Sequence, residues 1–177
     1  ANLLRATGRH EEAEPLYREA LAITRAALGA EHPATAVSQT NLAQLLHDAG
    51  WLEAAEPLYR AALALRRAVL GGAHPDTASS LNNLATLLGE TGRPEEAEPM
   101  LREALAVTRD TLGAAHPETA GSLFNLAMLQ AGCGEVAQAI PLLEEALAIR
   151  EAALGPEDPA TTETRRRLVE LRAAAGA

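Results

Sequence analysis

Residues 75–116 read PDTASSLNNLATLLGETGRPEEAEPMLREALAVTRDTLGAAH, and the chain on either side repeats the same grammar. NLA, a glycine, EAEP, EAL, LG and HP return in the same order at the same spacing. Gly50, Gly92 and Gly134 fall 42 residues apart, as do Gly29, Gly71, Gly113 and Gly155, and Pro33, Pro75, Pro117 and Pro159. A self-similar period of about 20–50 residues marks a stacked array, in which each unit buries its apolar face only against its neighbours.

Within one period the apolar positions follow the i, i+3, i+4, i+7 template of an amphipathic helix, as at Ala13, Leu16, Tyr17, Ala20, Leu21 and Ile23. This predicts a helix B over His10–Leu28. Gly29 then closes it where a left-handed C-terminal residue suits glycine, and Pro33 opens the next helix at its first position. The same reading gives helix A at 33–49, A and B at 75–91 and 94–112, then 117–133 and 136–154, a final helix at 160–174, and hardly any strand. Repeats are expected at 33–74, 75–116 and 117–158. Residues 1–32 read as a truncated first repeat, with 1–6 the tail of its helix A, and 159–177 as a capping helix, made polar by Arg165, Arg166, Arg167, Glu170 and Arg172. Glu14 with Arg18, Glu56 with Arg60 and Glu98 with Arg102 are acid-first i, i+4 pairs that support helix B. Pro15, Pro57, Pro99 and Pro141 fall a turn inside it, predicting a slight bend or a later start.

Composition excludes several classes. Hydrophobic residues make 47% of the chain but aromatics only 2%, so Leu, Ala, Ile and Val must fill a close-packed core. The net charge of −9 disfavours nucleic acid as a partner. No apolar run approaches a membrane span, so no membrane partner is expected. A cytoplasmic protein is the reading, and basic residues that are all arginine, with heavy alanine usage, point to a bacterial genome. Cys133 is the only cysteine, which leaves no internal disulfide and no Cys-pair zinc site.

Leu42, Ala43, Gly50, Ala55, Tyr59 and Ala62 stand at the spacing of the signature residues of a tetratricopeptide repeat. Leu84, Ala85, Gly92, Ala97, Leu101 and Ala104 repeat the pattern, as do Leu126, Ala127, Gly134, Ala139, Leu143 and Ala146. The 42-residue unit exceeds the usual 34. With its LG and HP punctuation and its LNNLA core it resembles the kinesin light chain type. That resemblance implies an all-α, right-handed superhelical solenoid of antiparallel helix pairs, whose A helices line a concave groove for an extended peptide. Groove positions would be Val37, Thr40, Asn41, Gln44 and His47, then Ser79, Asn82, Asn83 and Thr86, then Phe124, Asn125 and Met128. Asn41, Asn83 and Asn125 form the expected ladder, because an amide satisfies a peptide N–H and C=O together. The bland alternative is that these asparagines cap or cross-link helices.

The departures matter. Arg167 replaces the asparagine in the last helix, and Arg5, Arg166 and Arg167 are the only groove-side cations, so a terminal carboxylate is a poor ligand. Phe124 and Met128 suggest an apolar side-chain pocket, or plain packing. His32, His74 and His116 each precede a helix-opening proline, with Asp158 in the same place, so an N-cap role accounts for all four better than a metal. No nucleophile elbow, phosphate loop or distinctive carboxylate pair is present. The sequence thus predicts no catalytic residue, no metal, no cofactor and no enzyme, but a module that binds a protein or peptide partner. Its rivals are a scaffold that self-associates end to end and a regulatory array of a larger multidomain protein.

Overall fold

The computed structural model describes residues 2–176, Asn2 by its backbone alone, so Ala1 and Ala177 lie outside the described residues. Nine helices make up the described residues: α1 (Asn2–Ala6), α2 (His10–Leu28), α3 (Pro33–Asp48), α4 (Leu52–Leu70), α5 (Pro75–Glu90), α6 (Pro94–Leu112), α7 (Pro117–Gly132), α8 (Val136–Leu154) and α9 (Pro159–Ala175). They fall into two compact units, residues 1–87 and 88–177. In the first, α2 packs against α1 and α3, and α3 against α4; in the second, α7 packs between α6 and α8, and α8 against α9.

The B helices run over the expected residues, and the A helices stop one residue short of expectation. Ala49 and Cys133 are C-caps, with φ/ψ of −80°/−5° and −84°/0°, followed by a glycine that reverses the chain. At Gly50 φ is +77°; its N–H donates to His47 C=O at 2.9 Å and Trp51 N–H to Leu46 C=O at 2.8 Å. That pair of bonds is a Schellman motif, and it recurs at Gly92 and Gly134. Gly29 also has positive φ, but with ψ at 163° it lies in an extended region open essentially to glycine alone, not in the left-handed helical one. The last helix begins at Pro159, one residue earlier than expected, and ends at Ala175.

A later start of helix B does not occur. Pro15, Pro57, Pro99 and Pro141 all sit inside continuous helices. Each ring removes the i+4 donor to the carbonyl of Glu11, Glu53, Glu95 or Ala137, and prolines and carbonyl-bearing residues alike are exposed, so water can serve those oxygens.

Two repeating polar bonds tie each A helix to the helix B before it. Buried Thr35, Thr77 and Thr119 donate to the carbonyls of Gly29, Gly71 and Gly113 at 2.7, 2.8 and 2.8 Å. Thr161, the fourth of the series, is buried without a partner for its hydroxyl where Pro156 follows Gly155. Ser38 meets Thr24 at 3.2 Å and Ser122 meets Thr108 at 3.5 Å, whereas Arg66 donates to Ser80 Oγ at 2.7 Å and Arg150 to Thr164 Oγ1 at 2.5 Å. Burial lowers the pKa of both guanidiniums, with Asp76 and Asp158 partly opposing it.

His32, His74 and His116 cap α3, α5 and α7 by accepting from the N–H two residues on, through Nδ1, at 3.1, 3.1 and 3.2 Å; Asp158 Oδ1 does so for α9 at 2.8 Å. Each cap satisfies one orphan donor of the first turn. Replacing His116 by Ala is expected to lower stability by about 0.5–1 kcal/mol, whereas His116→Asp, adding negative charge at a helix N-terminus, restores or exceeds the parent. Urea denaturation of both variants at constant slope checks this; an alanine variant as stable as the parent excludes the cap.

Candidate functional site

Val37, Thr40, Asn41, Gln44 and His47 recur at helical spacing on α3, on the side away from buried Leu42, Ala43, Leu45 and Leu46. Most of their polar groups already have partners in the first unit. Thr40 donates to Ala36 C=O at 2.9 Å. Gln44 donates to Asp48 at 2.8 Å and accepts from the Tyr59 hydroxyl at 3.1 Å, beside which the His47 ring stands edge-on at 6.0 Å. On α5, Ser79 and Thr86 likewise donate back to Pro75 C=O at 3.2 Å and Asn82 C=O at 2.9 Å, and Asn82 is half-buried.

The second unit differs. Phe124 on α7 is half-buried against a core of Ala127, Ala139, Leu143 and Leu168, and the Arg150 guanidinium lies 4.9 Å from its ring centre, a cation–π contact. Met128 is half-buried one helical turn on.

Asn41 is exposed and Asn83 and Asn125 are half-buried, and among the described residues none of the three amides is engaged in a hydrogen bond. Their carbonyl and amino groups remain available to a ligand, one A helix at a time: Asn41 and Asn83 in the first unit, Asn125 in the second. The expected groove-side cations are all neutralised by neighbours. Arg5 lies 3.6 Å from Asp48, and Arg166 and Arg167 converge on Glu163 at 2.7 and 2.9 Å. No His, Cys, Asp or Glu cluster among the described residues is arranged to hold a metal ion.

The sequence pattern of the tetratricopeptide repeat matches residues 1–68, 46–110 and 85–151. The chain belongs to the tetratricopeptide repeat family. Solved structures place it with the kinesin light chain type of all-α repeat solenoid. One is a Podosopora anserina protein described as a kinesin light chain with nearly identical TPR-like repeats, 28% identical, with 99% of this chain and 83% of that one covered at a TM-score of 0.81. Another is BtubC (BKLC) of P. vanneervenii, 29% identical, with 99% and 70% covered at 0.84. Comparison with curated proteins finds no match. Tetratricopeptide repeats are non-catalytic folds that generally mediate protein–protein interactions, and no helix among the described residues is long and apolar enough to cross a membrane.

Arg66, Arg150 and Gln130 were not singled out by the sequence reading. Gln130 had a signal, since it stands where the repeat places Leu46 and Leu88. On α9, hydrogen bonds from Arg166 and then Arg167 hold the Glu163 carboxyl below its ordinary range, and the bond to Glu163 raises Arg166 in turn. A carboxylate lowered in the folded state contributes stability above its unfolded pKa and loses it as pH falls through the folded one. Acidification through the lowered Glu163 range is therefore expected to loosen α9 locally, leaving Glu170 as the remaining partner of both arginines, and Glu163→Gln to remove that pH step. Amide exchange along α9 against pH reads this out; an identical profile in the variant disproves it.

Proposed function

We propose that this tetratricopeptide chain is a protein-interaction module that holds an extended peptide segment against its A helices, without catalytic chemistry of its own. The observation that carries the reading is the state of the recurring asparagines. In a setting where Thr40, Gln44, Ser79 and Thr86 are tied to their own unit, the amides of Asn41, Asn83 and Asn125 are left unengaged. An amide offers two donors and two acceptor lone pairs, the complement of a peptide unit in an extended strand. Backbone reading of this kind gives affinity with little demand on the ligand's side chains. Val37, exposed, and Met128, half-buried, add apolar contact beside it.

Peptides retained from an array of the source proteome are expected to bind Asn83→Ala and Asn125→Ala about two- to tenfold more weakly each, the loss of one net hydrogen bond per site, with stability within about 0.5 kcal/mol of the parent. Retained affinity in a triple variant that also carries Asn41→Ala, still helical by circular dichroism, removes the asparagines from the reading.

A further inference from the structure

Gln130 is out of character with its position. The same place in the preceding repeats holds Leu46 and Leu88, and Gln130 is as deeply placed, only 4% exposed. Its Nε2 reaches Gln138 Oε1 at 3.3 Å, but its own Oε1 is buried without a hydrogen-bond partner. Leaving a buried acceptor unsatisfied is unfavourable, and leucine at this site avoids it.

The residue lines a cavity of about 230 Å³ in the second unit, together with Glu95, Glu98, Leu129, Cys133 and Glu135. Drug-sized ligands occupy about 300–1,000 Å³, so this volume suits a single side chain. Every charged group on the wall is a carboxylate. Glu98 shares one oxygen with Arg102 at 2.7 Å, while Glu95 and Glu135 form no ion pair among the described residues. The C-terminal turn of α7 ends at the same place without a basic residue, and its negative dipole end favours a cation, while Pro94 and Glu95 bring the positive N-terminal end of α6 to the same wall, where the Glu95 carboxylate offsets it. Pro99 also withdraws the helical donor from the Glu95 carbonyl. The side chains of the wall are thus rich in acceptors, three carboxylates and the Gln130 amide oxygen.

We propose that this cavity receives the guanidinium of an arginine from a partner protein, with Gln130 Oε1 and the Glu95 and Glu135 carboxylates as its acceptors. A guanidinium carries five N–H donors in a rigid planar fork, so it can serve an amide oxygen and a carboxylate at once, where a lysine ammonium is a compact and strongly hydrated point charge. A metal ion is the weaker fit, because these groups are not arranged to hold one. Asn125 does not line the cavity, whereas Leu129, one turn further along the same face of α7, does.

The test is an NMR titration of the full chain with N-acetyl-arginine amide, and with the citrulline amide as its uncharged isostere. Saturable shifts are expected at the Gln130 side-chain amide and the Cys133 and Glu135 backbone amides, in the range of about 1–10 mM, with citrulline about tenfold weaker. Gln130→Leu restores the residue of the other repeats, so its thermal midpoint should equal or exceed the parent's while arginine binding falls about tenfold. Glu95→Gln with Glu135→Gln changes exposed positions only and should weaken binding to a similar degree. Diffuse shifts, equal response to citrulline, or parental affinity in either variant would overturn the proposal.

Discussion

Ala13, Ala55, Ala97 and Ala139 occupy the same place in successive repeats, and none keeps any solvent-accessible surface. Ala36, Ala78 and Ala120, then Ala43, Ala85 and Ala127, then Ala62, Ala104 and Ala146, behave in the same way. A methyl at a helix crossing sets how closely two helices approach, and any larger side chain must push them apart or distort its own rotamer. The remaining volume is filled almost wholly by leucine, which is why a chain with 2% aromatic residues still closes a core. Once these columns are fixed, the glycine turns and the proline starts follow, because helices of set spacing need connections of set length. What stays free to vary is the outward stripe of each helix, and that is where function has to be sought.

The B helices were legible to the residue because their last apolar position is followed by a glycine whose backbone conformation no other residue adopts comfortably. The A helices read one residue too long for a physical reason. Ala49 and Cys133 keep near-helical dihedral angles while already serving as caps, and side-chain periodicity does not register that change. The interior prolines looked uncomfortable because sequence does not tell which face of a helix they occupy; on the exposed face, the forfeited bond is one that water replaces. Arg66 and Arg150 escaped notice because they alternate with Thr24 and Thr108, a second rhythm at twice the repeat length that a search at 42 residues averages away.

The stripe that carries the candidate site was equally legible, but the condition of its side chains was not. Helical spacing places Thr40, Ser79 and Thr86 beside the asparagines, yet each hydroxyl turns back to a carbonyl of its own helix. Gln44 is held by Tyr59, a contact between residues 15 apart in sequence that depends on how α3 meets α4. Asparagine is a poor helix former, so its recurrence at 41, 83 and 125 gives the helices nothing that alanine or glutamine would not give better. Hydrogen bonding does not explain it either, since none of the three amides is engaged within its own unit among the described residues.

A repeat protein supplies its own controls, and they separate two kinds of departure from the structural pattern. Asn41, Asn83 and Asn125 depart together, once per repeat, as suits a ligand that is itself periodic, such as a peptide backbone. Gln130 departs alone, in a column of buried leucines, as suits a ligand group met at one place only. Stability in such an array is close to a sum over neighbouring repeats, so the penalty of one unsatisfied oxygen stays local and the rest of the core can absorb it. A periodic feature can therefore supply affinity while a single exception supplies selectivity, and the buried exception is the more telling of the two, because no surface tolerance excuses it.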